Sequence, residues 1–178
     1  IYLKILAICK LNSHYLCCIN TDMKFNTKLI HAGIHPDPST GAVMTPIFQT
    51  STYAQDGPGN HKGFEYARTQ NPTRKVLEDN LAAIENGAAA VCFGSGLAAM
   101  DAIIKLLKPG EEVLATHDLY GGSYRLLVRV FGPLGIKSRF VPMQNLAHFE
   151  SQISENTKLI WIETPTNPLL QIVDIEAI

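Results

Sequence analysis

The sequence has 178 residues, of which 46% are hydrophobic and 17% charged, and its formal net charge is −1. That balance supports a buried core and excludes a disordered, charge-expanded chain. Acids and bases are mixed along the sequence, so neither a nucleic-acid-binding face nor a polybasic membrane patch is expected.

Residues 1–22 differ from the rest of the chain. Three of the four cysteines, Cys9, Cys17 and Cys18, lie there, and the apolar stretch Ile5–Cys9 is too short to span a bilayer. No clear signal-peptide cleavage site follows it. Met23 opens a segment of ordinary composition, and residues 1–22 are read as a non-native leader. Cys92, inside an apolar run, reads as a buried small hydrophobe. One body cysteine builds no disulfide framework, which points to a reducing, cytoplasmic setting. No cysteine or histidine spacing suggests a metal.

Residues 23–70 read as an extended arm: Pro36, Pro38, Pro46 and Pro58 punctuate it and periodicity is weak. So long a segment without regular structure fits an arm lying on another subunit. Asn71-Pro72-Thr73 is a helix start, with Pro72 near the first helical position. Val76, Leu77, Leu81 and Ile84 form its apolar face, and Gly87 ends it. An alternation comes next: strand Ala88–Phe93, helix Gly96–Leu107, strand Val113–Thr116, helix Ser123–Phe131, strand Ser138–Val141, helix Asn145–Ile153 and strand Leu159–Glu163. At Val173-Asp174-Ile175 another helix is expected to begin. Four short strands separated by helices imply βαβ units and a mainly parallel sheet. Residues 71–178 are thus expected to be the first part of an α/β domain, truncated before any closing element.

Gly94-Ser95-Gly96 stands between an expected strand and a helix. Main-chain N–H groups at a helix N-terminus, with small residues allowing close approach, form an anion site. The same residues, with Leu97-Ala98-Ala99 behind them and Asp118 after the next strand, also fit the dinucleotide fingerprint. The arm and helix that precede the motif are foreign to a simple dinucleotide-binding unit, so that reading ranks last.

Four stretches together carry a resemblance. Tyr66-Ala67-Arg68 with Asn71-Pro72-Thr73, Gly94-Ser95-Gly96-Leu97-Ala98-Ala99, Asp118-Leu119-Tyr120-Gly121-Gly122-Ser123 and Glu163-Thr164-Pro165-Thr166-Asn167-Pro168 occur in order. They resemble the motifs of the Cys/Met-metabolism enzymes that depend on pyridoxal 5′-phosphate (PLP), the trans-sulfuration family. The resemblance implies the large domain of fold type I PLP-dependent transferases, the aspartate aminotransferase-like α/β fold with a mainly parallel sheet. It implies main-chain N–H groups of Gly96 and Leu97 on the phosphate. It places Tyr66 and Arg68 on the phosphate of a neighbouring subunit's cofactor, where a guanidinium fork suits the anion. Tyr120 would stack on the cofactor ring and act as the catalytic proton-transfer group, and Asn167 would bond the ring's phenolic oxygen. Homotetramers built as dimers of dimers, with shared active sites and small amino-acid substrates, are implied as well. Glu163 receives no role on this reading, and His117 reads as a polar residue at a strand end.

The expected activity is that of a cystathionine γ-lyase or γ-synthase. Methionine γ-lyase, cystathionine β-lyase and homoserine sulfhydrylase are the alternatives within the family, and a non-catalytic remnant is the alternative outside it. Methionine γ-lyase ranks lower because that group often has cysteine where this chain has Gly122. The family's cofactor-bearing lysine lies in a Ser-x-Thr-Lys segment that the 178 residues do not contain, so this chain alone is expected to be inactive.

Overall fold

The computed structural model describes residues 23–178; the expected leader lies outside them. Among the described residues one compact unit runs to Cys92 and a second takes in Phe93–Ile178. The division falls after the first long helix rather than at residue 70.

In the first unit, α1 spans Phe25–His31 within the segment expected to be irregular, and α2 spans Pro72–Ile84. The Asn71 side chain caps α2, accepting from the N–H groups of Thr73 (2.9 Å) and Arg74 (3.3 Å). The same residues pin the arm. Asn71 Nδ2 donates to the Phe48 carbonyl at 3.0 Å, while Thr73 Oγ1 donates to the Pro46 carbonyl at 2.9 Å and accepts from Phe48 N–H at 3.0 Å. The apolar face of α2 is not the expected one: Ala82 and Ala83 are buried, and Leu77 and Leu81 are exposed. The helix packs through its small residues because α1 lies close. Asn80 Nδ2 donates to the carbonyls of Lys28 (3.1 Å) and Ala32 (2.9 Å). Gly33, at φ 76°, brings the chain so near α2 that a Cβ there would lie 2.7 Å from Asn80 N.

Ala88–Phe93 forms no strand. It is irregular chain with no ladder partner among the described residues, and Val91 and Phe93 are exposed. Its Cys92 N–H is satisfied by Glu78 Oε1 at 3.0 Å. Cys92 is half-buried rather than buried, and burial, aided by the negative Glu78, pushes its thiol above the ordinary value.

The second unit is a three-stranded parallel sheet in the order β2-β1-β3, built from β1 (Glu112–Thr116), β2 (Lys137–Val141) and β3 (Thr157–Trp161). Every residue of the central strand β1 is buried, so its side chains feed two cores. Val113 and Ala115 pack with Met100 and Ile104 of α3 (Gly96–Ile104) and with Leu127, Phe131 and Trp161; Leu114 packs on the other face with Val141, Met143, Phe149 and Val173. α4 (Gly121–Arg125) continues as a π-helical turn, Leu126–Phe131, and a short 3-10 turn containing Pro133. The helix expected over Ser123–Phe131 is thus α-helical only to Arg125 and π-helical from Leu126 to Phe131. α5 (Leu146–Ser151) is capped by Asn145, whose side chain accepts from His148 N–H. Past Val173 there is a turn and no helix, although Asp174 Oδ1 accepts from the N–H groups of Glu176 and Ala177 as a cap would.

One carboxylate at the start of β1 ties that strand to both of its neighbours. Glu112 accepts from Arg139 Nε (2.7 Å) and Nη2 (2.9 Å) on β2 and from Thr157 Oγ1 (2.7 Å) on β3. The hydrogen bonds from Arg139 hold the Glu112 carboxyl below its ordinary value in spite of its desolvation. The C-terminal ends are left open, which is where ligands bind in open α/β sheets.

Candidate active site

A cavity of about 800 Å³ opens beyond the C-terminal ends of β1 and β3, lined by Ser95, Gly96, Leu97, Tyr120, Glu163 and Asn167 among others. Small-molecule sites run from roughly 300 to 1,000 Å³. Gly96, Leu97, Tyr120 and Asn167, expected from sequence to share one site, therefore line one cavity.

At its base lies the start of α3. The first amides of a helix have no intrahelical acceptor. Ser95 takes two of them: its Oγ accepts from Ala98 N–H at 3.1 Å and its carbonyl from Ala99 N–H at 3.1 Å. Those of Gly96 and Leu97 keep no acceptor among the described residues. A Cβ built on Gly94 or Gly96 would meet nothing within 4 Å. Open space thus stands before free amides at the positive end of a helix dipole, which suits an anion.

Tyr120 is the residue before α4, and its ring is half-exposed to the cavity. It lies over Gly122: a Cβ there would fall 2.9 Å from Tyr120 Cδ1 and 3.0 Å from Cζ. Asn167 belongs to a tight loop after β3. Thr166 N–H donates to the Gln171 carbonyl at 2.9 Å, and Gln171 N–H donates to Thr166 Oγ1 at 2.8 Å. The bonds Thr164–Pro165 and Asn167–Pro168 are cis.

Two acids meet these walls. Glu163, 8% exposed, accepts from Tyr120 N–H (2.7 Å), Ser123 Oγ (2.6 Å) and Trp161 Nε1 (3.2 Å). Asp118, also 8% exposed, accepts from Thr166 Oγ1 and from Leu169 N–H (2.9 Å). Sequence reasoning left Glu163 without a role. The available signal was an acid directly after the apolar run Leu159–Ile162, at the end of a parallel strand. Asp118 also removes the dinucleotide reading. Its carboxylate is buried and taken up by Thr166 and Leu169, and no strand precedes Gly94 among the described residues. His117 is exposed, as expected of a polar strand end.

Tyr66 and Arg68 lie in the other unit. Both are exposed, and the Arg68 guanidinium carbon stands 4.9 Å from the Tyr66 ring centroid. The turn that carries them is braced by Arg74, whose Nη1 and Nη2 donate to the carbonyls of Ala67 (3.1 Å) and Thr69 (2.6 Å).

The cavity fits PLP on its own chemistry: free helix-start amides for a phosphate, a ring to stack on and an amide side chain beside it. Among the described residues no helix is long and apolar enough to cross a membrane, and no cluster of His, Cys, Asp or Glu could hold a metal ion. The chain is 49% identical to a probable cystathionine γ-synthase of Herpetosiphon aurantiacus, over 88% of this chain and 49% of that protein. It is also 49% identical to the cystathionine γ-lyase of Bacillus subtilis, over 86% of this chain and 40% of that one. The crystal structure of metB from Corynebacterium glutamicum superposes with a TM-score of 0.81 at 44% identity, covering 88% of this chain and 41% of the other. The chain thus spans less than half the length of these relatives. The model of the Cys/Met metabolism PLP-dependent enzymes matches residues 26–178, and the chain belongs to that family.

Proposed function

We propose that the protein of which these residues form a part is a PLP-dependent trans-sulfuration enzyme of the cystathionine γ-lyase or γ-synthase type. The observation that carries this reading is the convergence of the Gly96 and Leu97 amides, Tyr120 and Asn167 on one cavity at the open strand ends. When bound, PLP supplies an aldehyde that condenses with amines and a ring that takes up the electron pair left by a departing α-proton. This chain's residues would bind and orient it: the amides of Gly96 and Leu97 would hold the phosphate, Asn167 would donate to the phenolic oxygen, and Tyr120 would stack on the ring with its hydroxyl placed to carry a proton. Tyr66 and Arg68 are exposed with the guanidinium free of any acid among the described residues, which favours a phosphate reached on another subunit. That reading brings with it a homotetrameric, cytoplasmic enzyme acting on small amino acids.

Gly122 ranks methionine γ-lyase lower, because enzymes of that group often have cysteine at this position. The γ-lyase converts cystathionine and water to cysteine, 2-oxobutanoate and ammonia; the γ-synthase joins cysteine to an activated homoserine. Product analysis with each substrate on the full-length gene product tests the proposal, and formation of either product set supports it. Failure to bind PLP or to turn over either substrate refutes it. The 178-residue chain contains no Ser-x-Thr-Lys segment, so assayed alone it is expected to give no turnover.

A further inference from the structure

We infer that Asp118 and Glu163 are a crossed pair of positioning residues, each holding in place the cavity wall that follows the other's strand. Asp118 is the second residue past β1 and Glu163 the second past β3. Glu163 reaches back across the sheet to the segment after β1, where its Oε2 accepts Tyr120 N–H and its Oε1 accepts Ser123 Oγ. Asp118 reaches the opposite way, to the loop after β3, where its Oδ2 accepts Thr166 Oγ1 and Leu169 N–H on either side of Asn167. The two strand ends are also tied directly, since Thr116 Oγ1 accepts Glu163 N–H at 3.3 Å.

Both carboxylates are buried, and among the described residues neither is ion-paired. Burying an acid without a cation is costly, and a well-packed apolar residue would serve stability as well or better. What an apolar residue could not do is fix these main-chain N–H groups by charge-assisted hydrogen bonds, which are stronger and more directional than neutral ones. The groups so fixed are the amide of Tyr120 and the loop that carries Asn167. The inference rests on the PLP reading for its ligand, but the hydrogen bonds themselves can be tested without one.

The test uses 4-deoxypyridoxine 5′-phosphate, which lacks the aldehyde and so cannot react with surface amines. Its binding to the 178-residue chain is followed through the emission of Trp161, the chain's single tryptophan, which lines the cavity. Tyr120→Ala is expected to weaken binding about 3- to 10-fold, the worth of one aromatic contact. Glu163→Ala is expected to weaken it by a similar factor in the wild-type background and by less than about 2-fold in the Tyr120→Ala background. Glu163→Gln, which keeps one acceptor oxygen, recovers part of the loss and guards against a variant that fails to fold. Asp118→Ala is expected to stand in the same relation to Asn167→Ala, with Asp118→Asn recovering part of the loss. Equal losses in both backgrounds would overturn the inference, because the acids would then serve the fold and not these two side chains. If the wild-type chain does not take up the analogue, the PLP reading fails for this chain, and amide exchange decides the positioning role. In Glu163→Ala, faster exchange at Tyr120 with β1 unchanged upholds it; unchanged exchange at Tyr120 sinks it.

Discussion

Gly122 shows how much a single residue can decide at this site. It lies at the start of α4 with no left-handed φ, so alanine is allowed by the backbone and favoured by helix propensity by up to ~1 kcal/mol. The Tyr120 ring, however, occupies the space that the new methyl needs. Gly122→Ala is therefore expected to leave the melting temperature unchanged or slightly raised while weakening 4-deoxypyridoxine 5′-phosphate binding about 3- to 10-fold. Calorimetry and fluorescence titration on the same preparation check both halves, and unchanged binding would mean that the ring tilts aside freely. At this scale the sequence was informative where a residue's role is local. Gly96, Leu97, Tyr120 and Asn167 stand in short motifs whose spacing survives folding. Glu163 was opaque because its partners Tyr120 and Ser123 lie 43 and 40 residues away. An isolated acid in a sequence does not reveal which amide it will meet.

Among the elements, periodicity and caps carried most of the information. α2 begins at the expected Asn71-Pro72-Thr73, β1 and β2 fall on the expected apolar runs, and β3 starts and ends two residues before the expected Leu159–Glu163. Ala88–Phe93 misleads because an apolar run records an appetite for burial and not the identity of the neighbour that satisfies it; it has no ladder partner among the described residues, and Val91 and Phe93 stay exposed. α1 was missed because its seven residues offer neither a side-chain cap nor a buried face. The clasp at Glu112 gives the sheet an acid dependence. The folded-state value of this carboxyl lies below the ordinary 4.5, so its contribution is fully present above that value. It is lost as the pH falls through the lower, folded-state value. Arg139 is partly exposed, so solvent screening limits the contribution to about 1 kcal/mol. Glu112→Gln is expected to lower the melting temperature at neutral pH and to flatten its fall on acidification. Melts across that range test this, and parallel curves for both proteins would refute it.

At the scale of the molecule, the arm carries several exposed apolar residues. Val43, Met44 and Ile47 are each more than 70% exposed. Apolar patches of this kind mark association surfaces, in keeping with the proposed homo-oligomer. The chain is expected to sediment as more than a monomer at micromolar concentration, and Val43→Ser with Met44→Ser and Ile47→Ser to shift it toward monomer; sedimentation velocity that shows a monomer throughout would remove the arm from the assembly. The Asn80 amide has a consequence of another kind. It gathers the carbonyls at the end of α1 across a separation of 52 residues. A helix of seven residues without a side-chain cap is too short to persist by itself. Chains leave the ribosome N-terminus first, so α1 emerges well before the side chain that secures it. During synthesis this stretch stays loose and open to chaperones and proteases until α2 has cleared the exit tunnel, so α1 is completed only together with α2.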